Sequence, residues 1–275
     1  MIKDILVNLE ITSTRDAAAE YALSVATLFE AHLTGVAFAY EPVNVGSVID
    51  GVASSVIARY GEELRAAAQA ARDRFEHAAQ NARLSATSLV LKLDRAGVAA
   101  TFGRLARKYD LSIVGQARPD SETPQEVIIE GALFESGRPV LIVPYIQKTG
   151  IRLDRVMVCW DGSRNAARAI ADAMPLLCRA GAIEVVTIDT VERRNAIPGA
   201  DIAEHLARHG LKIDLKTIVD KANDVACTIL NHVADSSADF VVMGGYGHSR
   251  VREFVLGGAT RGMLGSMTVP TLMAH

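Results

Sequence analysis

The stretch Asp239-Phe-Val-Val-Met-Gly-Gly-Tyr-Gly-His-Ser-Arg-Val-Arg-Glu-Phe-Val-Leu-Gly-Gly-Ala-Thr260, followed by Thr268-Val-Pro-Thr-Leu-Met-Ala-His275, decides the fold. Phe240 to Met243 form a short apolar run after an acid, the pattern of a strand buried in a parallel sheet. Gly244, Gly245 and Gly247 follow at once, and nine residues separate Gly247 from a second pair, Gly257 and Gly258. A strand that ends in glycines and leads towards a helix presents bare backbone N–H groups to an anion. Side chains at such turns would hold the backbone away, so glycine is required.

Working back from this stretch, its landmarks occur twice. Asp110-Leu-Ser-Ile-Val-Gly115 mirrors Asp239 to Gly244, and Pro139-Val-Leu-Ile-Val143 mirrors Pro270 to Ala274. Ile5-Leu-Val-Asn-Leu-Glu10 and Val156-Met-Val-Cys-Trp-Asp161 are both apolar runs closed by an acid, and each leads into an Ala-rich helical stretch. Four landmarks in one order make two homologous halves. Residues 1–146 form the first expected domain and 153–275 the second. The joint between them, Tyr145 to Leu153, is short, polar and holds a glycine. Its shortness predicts two sheets lying against each other.

Each half alternates strand and helix, which implies right-handed crossovers and parallel sheets. In Asp224–Ser236, Val225, Ile229, Leu230 and Val233 fall at helical spacing. The first half predicts a long helix over Ile57–Ala82 and a poorly defined one before Val140. The second predicts helices over Ser249–Val255 and Thr260–Gly265. The strands led by Pro139 and Pro270 occupy equivalent sheet edges, and open edges invite pairing. They are expected to pair with each other as an internal pseudo-dimer, to which a second chain could add.

The symmetry breaks at Glu41 to Tyr60, an apolar segment whose counterpart, Thr190 to Gly199, is shorter and polar. It reads as a flap packed on its own domain or on a second subunit. A sharper alternative makes Val43–Ile57 the wall of a pocket for an apolar ligand.

The composition is that of an ordinary globular chain: 275 residues, 49% hydrophobic, 22% charged, net charge −3. Neither sign dominates, so neither nucleic acid nor an anionic membrane is an expected partner. There is no apolar run long enough to span a bilayer and no secretory pattern at the N-terminus, so the expected compartment is the cytoplasm. Cys159, Cys178 and Cys227 are widely spaced and form neither a disulfide framework nor a CxxC metal site.

Asp161-Gly162-Ser163 ends the first strand of the second half. In an open α/β sheet this end should adjoin the Gly244 loop, where ligands lie outside the carboxyl ends of the strands. Asp161 can accept hydrogen bonds from a base or ribose, or help hold a divalent cation. Its blander role is a turn or helix-cap acid. No GxxxxGK[ST] is present, and Gly244-Gly-Tyr-Gly fails the strict GxGxxG pattern.

Gly244, Gly247, Gly257, the Asp161-Gly162-Ser163 turn and Pro270 together resemble the universal stress protein family. The whole chain resembles its tandem form, in which two such domains are fused. The resemblance implies a five-stranded parallel sheet of order 3-2-1-4-5 in each domain, doubly wound with helices on both faces. It also implies ATP or a related adenine nucleotide, with Mg²⁺, in the second domain. By position, Asp161, Gly162, Ser163, Ile188 and Asp189 would face adenine and ribose. Gly244, Gly247, Gly257, Gly258 and Ala259 would face the phosphates, with His248 beside them. One departure stands out. The family's phosphate-binding form has Ser or Thr where this chain has Gly258, and Thr260 or Ser249 are the available hydroxyls to replace it.

The first half lacks these features. Arg118 stands opposite Gly247, Glu126 and Val127 stand opposite Gly257 and Gly258, and Glu10-Ile-Thr12 replace Asp161-Gly-Ser163. Each change adds a side chain where backbone must approach, and Glu126 would bring negative charge towards phosphate. This half is expected to be a degenerate, structural or partner-binding copy.

His248-Ser249-Arg250 suits phosphate binding better than catalysis, since no acid is fixed to orient His248. His205 and His209 have the i, i+4 spacing of a zinc pair without an evident third ligand, so they read as a solvated helix face. The expected function is a regulatory or protective stress-response protein controlled by nucleotide occupancy. A slow ATPase using His248, or a nucleotide-free scaffold, are the alternatives.

Overall fold

The computed structural model describes residues 1–41, 52–118, 124–189, 199–220, 222, 224–246 and 258–275. The first half contains strands β1 (Asp4–Asn8), β2 (His32–Glu41), β3 (Ala86–Asp94), β4 (Leu111–Gly115) and β5 (Val140–Val143). Its helices are α1 (Ala17–Phe29), α2 (Val52–Asn81), α3 (Val98–Ala106) and α4 (Gln125–Glu135). The second half contains β6 (Arg155–Cys159), β7 (Ala182–Asp189), β8 (Ile213–Val219), β9 (Phe240–Gly244) and β10 (Thr271–Ala274). Its described helices are α5 (Arg164–Leu177), α6 (Gly199–Arg208), α7 (Val225–Ser236) and α8 (Ala259–Ser266). The expected helix over Ser249–Val255 lies outside the described residues.

The strands form one ten-stranded sheet of order β3-β2-β1-β4-β5-β10-β9-β6-β7-β8. Each half has the expected 3-2-1-4-5 order. All pairings within a half are parallel. The central β5–β10 pair is antiparallel, with Leu141 opposite Leu272. The halves are therefore joined edge to edge through the strands led by Pro139 and Pro270, as expected, and the two expected sheets are one continuous sheet. Pairing removes both open edges and makes the apolar runs Val140–Val143 and Thr271–Ala274 the buried centre of the sheet.

Helices cover both faces. On β7, Glu184 bonds His232 of α7, whereas Thr187 packs where Gly199 opens α6. Side chains three residues apart on a strand point to opposite faces, so α6 and α7 lie on opposite sides. The Ala-rich stretches form α1 and α5, each started by a side-chain cap: Asp16 accepts from Ala19 N at 2.9 Å, and Ser163 from Ala166 N at 3.1 Å. In α7 the expected apolar stripe is buried at Ile229 and Val233.

The joint is held against α1. Arg15 donates to Gln147 O at 2.6 Å, and Ile151 N donates to Ser24 Oγ at 2.8 Å. A Cβ on Gly150 would lie 2.7 Å from Ser24 Cβ, so the linker glycine permits this close approach. Helix α2 begins at Val52, five residues before the expected Ile57. Val52 to Ile57 contains neither glycine nor proline, so the helix runs back towards Gly51 before it meets a breaker. The proposed apolar-ligand segment, Val43–Ile57, is thus helical over 52–57, and its remainder lies outside the described residues.

Candidate functional site

Strands β6 and β9 are neighbours, paired through Val156 and Phe240, Met157 and Val241, and Val158 and Val242. From them the chain leads in opposite directions across the sheet, β6 to β7 and β9 to β10. Their carboxyl ends therefore flank the switch point of the second half, the crevice where open α/β sheets receive ligands. The Asp161 turn and the Gly244 turn are brought together there, as the sequence predicts.

Each side of the crevice is built by local physics. Past β6, Trp160 N still donates to Val186 O at 2.8 Å. Asp161 Oδ1 then accepts from Ser163 N at 2.9 Å, Gly162 takes φ +74°, and Ser163 caps α5. A left-handed residue is needed to turn the strand into the helix, which explains the glycine. Asp161 and Ser163 thus have structural roles at this turn, whatever else they contact. The Cys159 thiol lies just beneath; burial, reinforced by the Asp161 carboxylate, pushes its pKa up to about 12. It stays a protonated, unreactive thiol. Trp160 packs against the core, and its indole Nε1 is buried with no hydrogen-bond partner among the described residues.

On the β9 side, the structure gives Gly244 a packing reason. A Cβ there would lie 2.6 Å from Ala166 N and 2.9 Å from Asn165 C, so the glycine lets the first turn of α5 press on the strand end. Gly245 N donates to Ala274 O at 2.9 Å. Tyr246 has φ +51°, and its N–H donates to Thr260 Oγ1 at 3.0 Å. That bond ties the entry of the 247–257 segment to the helix that follows it. Thr260 is buried and its hydroxyl accepts this bond, keeping its O–H as a donor.

Gly258 is the N-cap of α8 and offers no side-chain bond to the first-turn N–H groups, and Ala259 is the first helical residue. An uncapped helix start carries partial positive charge and free donors. Ile188 is half-buried and Asp189 exposed at the end of β7, where Asp189 O accepts from Asp220 N at 3.0 Å. Gly247, His248, Ser249 and Gly257 lie outside the described residues.

One contributor is not visible in the sequence. Asn165, buried on the first turn of α5, donates from Nδ2 to Gly245 O at 2.6 Å and pairs with His275 Nδ1 at 2.7 Å. It fastens α5 to the glycine turn and to the end of β10. A lone Asn inside an Ala-rich helix carries no spacing signal. The helical pair His205 and His209 is exposed with ring centroids 5.0 Å apart. Among the described residues no group of three or more His, Cys, Asp or Glu side chains is placed to hold a metal.

The corresponding end of the first half carries a buried polar pair. Gln125, at the start of α4, is buried and its Oε1 accepts from Asn8 Nδ2 at 3.3 Å. Its Nε2 would lie 3.2 Å from a Cβ on Gly115. Gln116 stands where the second half has Gly245, and its Nε2 donates to Leu264 O at 2.9 Å. Four extra residues lengthen the turn between β1 and α1, so Asp16 takes the place of the Ser163 cap. Glu10 still stands opposite Asp161: Leu9 N donates to Val36 O as Trp160 N does to Val186 O, and Glu10 Oε1 accepts from Thr12 N at 3.1 Å as Asp161 accepts from Ser163 N. Glu126 and Val127 sit in the first turn of α4 and are exposed. Helix α4 thus starts at Gln125, three residues ahead of the position equivalent to the start of α8, and the buried Asn8–Gln125 pair lies at its N-terminus.

Residues 152–275 match the universal stress protein family. The universal stress protein Slr1230 of Synechocystis sp. (strain ATCC 27184 / PCC 6803 / Kazusa) is 28% identical over 170 residues, which are 60% of this chain and 57% of that protein. The match thus spans little more than half of that relative. The crystal structure of a universal stress protein from Archaeoglobus fulgidus DSM 4304 superposes with a TM-score of 0.72 at 16% identity, covering 98% of this chain and 95% of that one. A putative universal stress protein from Pseudomonas aeruginosa UCBPP-PA14 gives a TM-score of 0.57 at 16% identity, covering 99% and 93%. At these identities the structural likenesses speak to the fold, and they extend it over both halves.

Proposed function

This chain belongs to the universal stress protein family, and on that premise we propose that its second half binds ATP or a related adenine nucleotide while its first half does not. The observation that carries the reading is the juxtaposition of the Asp161–Ser163 turn with the Gly244–Tyr246 turn at the switch point between β6 and β9. Phosphates would meet the uncapped start of α8 at Gly258 and Ala259, with the glycines of the 247–257 segment and His248 beside it. Base and ribose would lie over Asp161, Ile188 and Asp189. Magnesium would enter as the counter-ion of the phosphates, which requires only one or two carboxylates, and Asp161 is the candidate. In the first half, the buried Asn8–Gln125 pair lies at the equivalent end, so one nucleotide per chain is the expected stoichiometry.

Nucleotide occupancy would bias the stability of this half and so serve a regulatory or protective role under stress. No helix among the described residues is long and apolar enough to cross a membrane, and a cytoplasmic site of action suits the proposal. Titration with Mg-ATP tests it. Ligand at a hundredfold its dissociation constant stabilises the fold by about 2.7 kcal/mol. Saturation at one nucleotide per chain supports the reading; an unchanged melting temperature at millimolar Mg-ATP overturns it. Two nucleotides per chain would overturn the assignment of the first half.

A further inference from the structure

The two halves meet at more than the β5–β10 pair. Near its C-terminal end, α4 of the first half reaches the strand ends of the second. The Phe134 ring lies 4.9 Å from the Tyr246 ring and 4.8 Å, edge to face, from His275. Leu133 Cδ2 would lie only 3.3 Å from a Cβ on Gly245. These partners belong to the glycine turn itself. Gly245 O receives Asn165, and Tyr246, in its left-handed conformation, donates to Thr260.

Pseudo-symmetry supplies the control. The alignment that sets Leu141 opposite Leu272 makes Gly265 of α8 the counterpart of Phe134 and Leu264 the counterpart of Leu133. At that reciprocal contact there is no aromatic residue: a Cβ on Gly265 would meet nothing within 4 Å, and the link is the Gln116 side chain bonded to Leu264 O. So the first half sends an aromatic ring to the glycine turn of the second, and among the described residues the reverse contact carries the Gln116 bond in its place.

We infer that Phe134 is a positioning residue, supplied by the first half, that holds Tyr246 in its left-handed conformation and so sets the Tyr246–Thr260 bond beside the start of α8 at Gly258 and Ala259. The inference deepens the nucleotide reading and rests on it for the ligand, but the clamp on Tyr246 stands on contacts within the protein alone. A left-handed Tyr is unfavourable by itself and persists where its surroundings fix it. Aromatic contacts of this kind add to simple burial. Coupling is reciprocal, so a ligand that favours the left-handed Tyr246 also tightens the seat of α4.

The test uses the full-length protein, wild type against Phe134→Ala and Phe134→Tyr. Hydrogen exchange without ligand should show the Tyr246 amide exchanging about tenfold faster in F134A, with F134Y restoring protection. The Arg155 amide, bonded to Asp239 elsewhere in the same half, should be unchanged. An unchanged Tyr246 amide, or equal acceleration at Arg155, overturns the inference. Mg-ATP titration should then show affinity about fivefold weaker in F134A and near wild type in F134Y. Equal affinity in wild type and F134A overturns the positioning role. If wild type takes up no Mg-ATP, the nucleotide reading falls, and the Tyr246 amide alone decides whether the clamp exists.

Discussion

Leu141 and Leu272 stand directly opposite one another in the antiparallel pair that joins the two halves, and both are fully buried. They are equivalent residues of the repeat, so the local two-fold axis passes between them. Directly opposed residues in an antiparallel pair have Cα atoms about 4.5–5.5 Å apart, within the range a disulfide accepts. Cysteines at both positions, in a background with Cys178 and Cys227 changed to Ser, should crosslink within one chain on oxidation. Non-reducing electrophoresis and intact mass read the result. Exclusively intermolecular bonds would mean that the central pair forms between chains.

The glycines of the second half separate by their neighbours. Gly244→Ala places a methyl 2.6 Å from Ala166 N, a backbone atom that cannot swing aside. It should destabilise the protein by about 1–3 kcal/mol. Gly265→Ala adds a methyl to open space on α8 and should gain a few tenths to about 1 kcal/mol from helix propensity. Urea denaturation of both variants checks the contrast. Equal effects would show that α5 does not press on the end of β9.

This contrast also shows what was legible in the sequence. The repeat and the pairing of β5 with β10 follow from landmarks that recur, whereas the strand order within each half comes from the family resemblance. Asp110 and Asp239 recur because each takes backbone N–H groups from the start of the first strand of its half: Lys3 and Asp4 in one, Asp154 and Arg155 in the other. The sequence also marked Gly244 as a place where no side chain fits. It did not say which neighbour forbids one, because that neighbour is the first turn of a helix some 80 residues earlier in the chain. Asn165 and Gln125 escaped notice for the same reason: single polar residues become meaningful only once the fold supplies their partners. Seated on Gly245 and Tyr246, Phe134 belongs with them.

The start of α1 carries a pH signature. Asp16 caps the helix and also accepts from Glu10 N at 2.7 Å, yet burial outweighs these bonds and lifts its carboxyl from 3.8 to about 6. The folded protein therefore takes up a proton near pH 6 that the unfolded chain takes up only near pH 3.8. This contribution favours the fold below the unfolded value and is lost as pH rises through about 6. It should amount to about 2–3 kcal/mol between pH 4 and 7. Asp16→Asn keeps an oxygen for Ala19 N and removes the titration. The difference in stability between wild type and D16N should therefore tilt towards wild type as pH falls. Parallel profiles from urea melts at each pH would refute the assignment.

The last prediction concerns Gly258, where the family's phosphate-binding form carries a hydroxyl. Its φ of −46° and ψ of 157° belong to extended backbone that any residue adopts, so its own backbone angles do not demand glycine. Thr260 is buried and accepts from Tyr246 N, so a serine at 258 would add a second hydroxyl at the helix start itself. Gly258→Ser should therefore fold normally, and as an N-cap it should gain only a few tenths of a kcal/mol, because glycine is itself a tolerable cap. The larger effect belongs to the ligand. One new hydrogen bond to a charged phosphate is worth about 1.5–3 kcal/mol, so Mg-ATP affinity should rise about tenfold or more. Calorimetric titration of wild type and G258S decides it. A folded G258S with unchanged or weaker affinity would show that the start of α8 is not where the phosphates bind, and the nucleotide would have to be sought elsewhere along the switch point.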